Sequence, residues 1–202
     1  MKSRCRIHPS HSAHPLAIAS LPHWRWLICE RGYANVLPPP ALRLVGSQPS
    51  RVADQIPVSG HRDAVLGVLY DMDAGDEKIL DGYEGVDEAA EEVDEDTSVI
   101  SPAIRPREQG EGSYNKWYVE AEVEKWLDEK SLEDGVAVGS AGGSQVPVRV
   151  RVLVYVDEEH VLMSRPKAEY IPRMDRAIRE AEALGMDGKW LKEVLRKDIP
   201  EV

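Results

Sequence analysis

Residues 117–126, WYVEAEVEKW, set Trp117, Val119, Ala121 and Val123 against Tyr118, Glu120, Glu122 and Glu124. Successive side chains of a strand point to opposite faces. A period of two held over this length therefore predicts a half-exposed antiparallel strand, one face in a core and the other in water. VPVRVRVLVYV, residues 146–156, alternates in the same way and turns wholly apolar towards its end. AVLGVLYDM, residues 64–72, is short and mostly apolar, which predicts a strand buried on both faces, with Gly67 marking a close backbone approach or a bulge. A fourth strand is expected at WRWLIC, residues 24–29, followed by a turn at ERGYANV in which Gly32 supplies the permissive backbone. LPPP, residues 37–40, ends that unit, and residues 41–60, rich in Pro, Ser, Gly and Gln, read as a surface loop. Strands of this kind with hairpin-like connections predict a largely antiparallel sheet, curled upon itself.

The period changes in the last third of the chain. Met174, Ile178, Ala181 and Leu184 recur at helical steps, with Arg176, Arg179 and Glu180 turned outward. Gly185 fits the position just past a helix end, and Asp187 caps a further helix carrying Trp190, Leu191, Val194 and Leu195. Earlier, Asp73 offers an N-cap to a helix of two or three turns with Ile79, Leu80 and Tyr83 on its apolar side, and Asp76 sits where a first-turn carboxylate suits the dipole. That helix stops at Gly85, which holds Glu84 at the junction of a helix C-terminus and a loop. Strands first and helices last predict an α+β fold with the helices packed on the sheet.

One domain over residues 20–201 is expected, after a flexible lead-in at 1–19. It carries insertions at 87–113 and 130–145. The first insertion, DEAAEEVDEDTSVI and REQGEGS, is acidic and of low complexity and reads as solvated and disordered. It lacks the alternating ligands and central glycine of a calcium loop.

The 202 residues carry a net charge of −11, which argues against nucleic acid and against an acidic membrane surface as partner. No apolar run approaches the roughly 20 residues of a membrane helix. Cys5 and Cys29 are sparse usage for a chain of this size and fit a reducing, cytoplasmic compartment. Lys2, Arg4, Arg6 and Arg25 with several serines resemble a weak transit peptide, but Pro9 and Pro15 interrupt any amphipathic helix there. His8, His11 and His14 stand three apart, with Cys5 three before the first. The same prolines deny them a helical face, so a polar lead-in is expected rather than a metal site.

GVLYDMDAGDEKILDGYEGV, then YNKWYVEAEV, then VLVYV, then RPKAEYIPRMDRAIREAEALGMDGKWLKEVLRKDIPE follow one another in an order that resembles the gamma-glutamylcyclotransferase family, its fungal form above all. LPHWRWLICERGYANVLP, earlier, is similar to that family's WRW and RGYANV segment. The resemblance covers residues 20–86 and 114–201, and its weight lies in the order of the five segments, since GVLY alone says little. It implies a small, largely antiparallel, barrel-like sheet with flanking helices. It also implies cleavage of gamma-glutamyl amides, glutathione or gamma-glutamyl amines, by attack of the substrate's own α-amine on its γ-carbonyl, which releases 5-oxoproline. Cofactor and metal are both expected to be none. The partner is a small gamma-glutamyl molecule, with neither nucleic acid nor membrane, and self-association as a homodimer stays open.

The family's acid/base falls on Glu84, and its substrate-contacting tyrosine ahead of the C-terminal helix falls on Tyr170. Tyr114, in YNK, is a further candidate for the pocket wall, with packing as the other reading. On local sequence alone Glu84 is a solvated acid at a helix end, and the ordered segments make it the candidate catalyst. An α-ammonium must lose a proton before it attacks and the departing nitrogen must gain one, so a single carboxylate within reach of both serves as base and then acid. Partial burial beside Tyr83 at a helix C-terminus is expected to raise its pKa. The family's Tyr-Gly-Ser-Asn-Leu loop, whose backbone amides cradle the glutamyl unit, has no counterpart here. The resemblance therefore implies a chain that begins late, Met1 standing where an internal methionine would. A scaffold or ligand-binding relative without turnover is the alternative function. An acidic interaction module working through 87–113 is a third reading.

Overall fold

The computed structural model describes residues 14–39, 63–93, 99–100, 103–127 and 147–202. The chain runs β1 (His14–Pro22), β2 (Arg25–Ile28), β3 (Ala34–Leu37), β4 (Ala64–Asp71), α1 (Ala74–Glu84), β5 (Val99–Ile100), β6 (Ala103–Ile104), β7 (Asn115–Trp126) and β8 (Arg149–Val156). It closes with α2 (Ile171–Ala183) and α3 (Gly188–Trp190), which continues as a π-helical turn over Leu191–Leu195. The fold is α+β, and every strand pairing is antiparallel.

The alternation at 117–126 becomes β7, the strand on which the sheet is organised. Trp117, Val119 and Ala121 are buried while Tyr118, Glu120 and Glu122 are half-buried on the other face. Val119 lies opposite both Ala103 of β6 and Val152 of β8, and Glu122 lies opposite both Ser20 of β1 and Arg149 of β8. A residue has only two ladder edges, so β8 follows one edge of β7 while β1 and β6 share the other. β4 then pairs with the far edge of β1. Among the described residues the sheet is not closed by backbone pairing. β2 and β3 form a separate hairpin, with β2 against β4 and β3 against β8.

Between hairpin and sheet lies an apolar core that includes Leu21, Trp24, Val65, Trp117, Val119 and Val156, in which the Trp24 and Trp117 rings meet edge to face at 6.1 Å. On the other side Ile18 and Ile28 pack against Ile178, Met186, Leu191, Leu195 and Ile199, so the C-terminal helices do cover the sheet. Asp175 of α2 fastens this layer. It is 1% exposed, with Arg196 Nη1 at 2.7 Å and Arg179 Nη2 at 2.6 Å. The hydrogen bond from Arg196, opposed by burial and aided by the charge of Arg179, holds its carboxyl below the ordinary value of 3.8. A lowered folded-state pKa contributes stability that is complete above the unfolded value and is lost as pH falls through the folded one. Asp175→Asn is therefore expected to lower the urea midpoint at pH 7, with the deficit closing as pH drops below 3.8. A deficit independent of pH would mean that the carboxylate charge contributes nothing.

The structure departs from the sequence expectation at three places. Residues 14–19, expected in a flexible lead-in, belong to β1, which lies between β4 and β7. PLAIASL is apolar enough for a strand with neighbours on both edges, and its prolines fall at the ends, with a register shift between Pro15 and Ala17, where a missing N–H is tolerated. Ala34–Leu37, expected as part of a turn, is β3.

The third place is the acidic stretch 87–113, expected to be disordered, which is ordered over 87–93 and 103–113. Two arginines anchor it there: Arg107 pairs with Glu92 at 2.6 Å, and Arg105, 5% exposed, with Glu108 and the distant Glu158, each at 2.7 Å. Composition records the surplus of acid but not which acids meet an arginine. Cys5, His8, His11, the loop at 41–60 and the insertion at 130–145 lie outside the described residues.

Candidate functional site

Asp73 caps α1 by accepting from the backbone N of Asp76 at 2.9 Å, as a short acidic side chain before a first turn should. The helix closes with Gly85 at φ 66°, where Val86 N donates to Asp81 O at 3.0 Å and Gly85 N to Gly82 O at 3.3 Å, the paired bonds of a Schellman motif. A Cβ at Gly85 would meet Ser113 Cβ and Oγ at 3.2 Å in a left-handed backbone. Gly85→Ala is accordingly expected to cost about 1–2 kcal/mol, read as a lower thermal midpoint. An unchanged midpoint would mean the loop relaxes out of this turn.

Glu77, Asp81 and Glu84 recur at steps of four and three, so they share one helical face. That face is turned to the sheet. Asp81, 8% exposed, accepts from Tyr155 OH at 2.7 Å and from Lys116 Nζ at 3.0 Å, and Lys116 also pairs with Glu77. Burial works against the Lys116 charge, but these carboxylates outweigh it and raise its pKa. Glu84, one turn further on, is half-buried. Tyr83, expected on the apolar side of the helix, is 62% exposed. A helix turns adjacent residues about 100° apart, so Tyr83 and Glu84 cannot share a face.

The loop after α1 brings the second candidate in. Ser113 N donates to Gly85 O at 2.7 Å, which sets Tyr114 beside the end of α1. Tyr114 OH donates to Ala34 O at 3.0 Å, and the Arg31 guanidinium lies 5.0 Å from the Tyr114 ring centroid. Burial pushes the Tyr114 phenol well above its ordinary value. Arg31 opposes the shift, while Tyr170 and Glu84 both add to it. Tyr155 is raised for like reasons, burial first, then its bond to Asp81, with Glu84 adding its charge. Both phenols therefore stay protonated at neutral pH.

Tyr170 stands at the start of α2, its ring edge-on to Tyr33 at 5.2 Å and beneath Arg173 at 5.4 Å. Tyr33 OH donates to Glu169 at 2.8 Å, tying this corner together. Of the three residues expected at the site, Tyr114 is brought beside the helix end that carries Glu84 by the Ser113–Gly85 bond, and Tyr170 lies against Tyr33 at the start of α2. Tyr114 and Tyr170 also serve in packing, the first by its bond to β3 and the second within the helical core cluster.

Sequence reasoning passed over Arg31, Tyr155 and Asp157. Arg31 Nη1 donates to Ser113 O at 2.7 Å and to Asp157 Oδ2 at 2.9 Å. Asp157 is fully buried and also accepts from Gln109 Nε2 at 3.2 Å. Nothing local marks these residues, since each matters through a partner far along the chain.

A cavity of about 430 Å³ lies between β2 and α3, walled by Trp24, Trp26 and Trp190, and one of about 50 Å³ lies beside Trp117, Asp157 and Val161. Neither is lined by Glu84, Tyr114 or Tyr170. Among the described residues no group of three or more His, Cys, Asp and Glu side chains is disposed to hold a metal ion. No helix among them is long and apolar enough to cross a membrane. Searches against protein-family models, curated proteins and solved structures return no match for this chain.

Proposed function

We propose that the chain is a gamma-glutamylcyclotransferase-type enzyme that cleaves gamma-glutamyl amides and releases 5-oxoproline. The observation that carries this reading is that Ser113 N bonds Gly85 O at the left-handed turn ending α1, which brings Tyr114, and Arg31 over its ring, beside the helix end that carries Glu84. The curl expected of that family has support in the packing: the β2–β3 hairpin lies against β4 and β8, each of which pairs with one strand of the sheet among the described residues. A reducing, cytoplasmic setting agrees with Cys29, a buried free thiol.

In the reaction Glu84 takes a proton from the substrate's α-ammonium, and the freed amine adds to the γ-carbonyl carbon to give a tetrahedral intermediate. The amide C–N bond then breaks and Glu84 returns a proton to the departing nitrogen. Two ammonium protons end on the leaving group, which departs as R–NH₃⁺, so the balance needs neither water nor cofactor. The nucleophile is tethered within the substrate, and the protein has chiefly to fold the glutamyl chain back on itself.

The test is the purified chain incubated with glutathione and with gamma-glutamyl amines, 5-oxoproline and free amine being measured together, beside Glu84→Gln. Equal rates in the two proteins would remove Glu84 as the proton carrier. A second reading, a ligand-binding relative without turnover, is favoured by the fact that Glu84 lines neither cavity. No 5-oxoproline from either protein would select it.

A further inference from the structure

The guanidinium beside Tyr114 has more hydrogen-bonding capacity than its neighbours use. Arg31 spends only Nη1, on Ser113 O and Asp157 Oδ2. Its Nη2 and Nε donate to nothing among the described residues, and the side chain is 23% exposed where Asp157 is 0% exposed. Asp157 is shared with Gln109 and with His160, whose Nδ1 lies 3.1 Å from Oδ2, so its charge is divided among several donors. The Tyr114 ring lies 5.0 Å from the guanidinium and Asp157 holds its Nη1, which leaves Nε and Nη2 as two adjacent donors.

We propose that Arg31 binds the α-carboxylate of the substrate's glutamyl unit and makes that carboxylate a requirement for binding; this rests on the reading of the Glu84 site given above. The α-amine and the α-carboxylate of a glutamyl unit are carried on one carbon. Whichever group takes the amine's proton must therefore have an anion-binding group close by, and Arg31 Nη1 is bonded to Ser113 O while Ser113 N is bonded to Gly85 O, the residue after Glu84. Two parallel N–H donors match a carboxylate, and a site built to hydrogen-bond one rejects analogues that lack it, because its buried polar groups are then left unpaired. In a chain of net charge −11 a half-buried cation so held stands out against its surroundings.

The test compares the full chain with Arg31→Gln and Arg31→Lys on gamma-glutamyl-alanine and on 4-aminobutyryl-alanine, which lacks the α-carboxylate and would release 2-pyrrolidinone. Binding of 5-oxoproline and of 2-pyrrolidinone is followed in parallel by titration calorimetry. In Arg31→Gln the ratio of kcat/KM between the two substrates is expected to fall about 10- to 100-fold, through KM rather than kcat. 5-Oxoproline should lose affinity over the same range.

Arg31→Lys keeps a charge against Asp157 but loses the fork. It is expected to recover part of the ratio, and it carries the test if the glutamine variant does not fold. An unchanged ratio in a variant with native circular dichroism would overturn the proposal. Arg31-dependent binding of 5-oxoproline without turnover would remove the catalytic reading and keep Arg31. Turnover with binding indifferent to Arg31 would do the reverse, and neither turnover nor binding would remove both.

Discussion

Glutamine at position 84 is expected to lower kcat/KM for 5-oxoproline release by about 100- to 10,000-fold, the range a positioned general acid/base supplies. Glutamine matches glutamate in shape and cannot take a proton from an ammonium, so the effect should fall on kcat. The turn after α1 is closed by the backbone groups of Asp81, Gly82, Gly85 and Val86, which the substitution leaves in place. Removing a negative charge from a helix C-terminus is, if anything, mildly stabilising. Glu84→Asp keeps the acid but withdraws it by one methylene, and an intermediate rate is expected. Circular dichroism beside the rate assay separates lost chemistry from lost fold. A glutamine variant as fast as the parent, with the fold intact, would leave the reaction without its proton carrier.

Asp157→Ala is expected to cost about 3–5 kcal/mol of unfolding free energy, the usual consequence of deleting one partner of a buried ion pair. Asp157 has no exposed surface and accepts from Arg31, Gln109 and His160 side chains, and its Oδ1 also takes the backbone N–H groups of Glu159 and His160. Alanine would leave the Arg31 guanidinium with Ser113 O as its remaining acceptor among the described residues, and two backbone amides would lose theirs. Urea denaturation at pH 7 measures the loss. A cost under about 1 kcal/mol would mean that water already neutralises Arg31, and would weaken the case for a preset carboxylate fork.

The elements that were legible in the sequence are those whose causes are local. Alternation at 117–126 and 146–156 predicts strands that occur at Asn115–Trp126 and Arg149–Val156. Asp73, Gly85 and Asp187 predict helix ends that the backbone realises, Asp187 accepting from Lys189 N at 2.8 Å. A cap or a two-residue period depends on neighbours within one turn, and the sequence supplies those neighbours in order. The strand at residues 14–19 escaped because a proline at each end of PLAIASLP hides the pattern of a short run whose stability comes from β4 and β7 on either side.

The candidate site was legible only through the ordered segments that resemble a family, which pointed to Glu84 and Tyr170 without saying what surrounds them. Arg31 reaches Ser113 across 82 residues and Asp157 across 126, and Tyr155 reaches Asp81 across 74. Periodicity and capping are one-dimensional properties of the chain, so it carried the helix that ends at Gly85 and the strands that flank it. Which charge neutralises which, and which phenol lies beside which acid, depends on distances that exist only once β7 has gathered β1, β6 and β8 along its two edges. Coulomb and hydrogen-bond energies fall off over a few ångströms of space and take no account of separation along the chain.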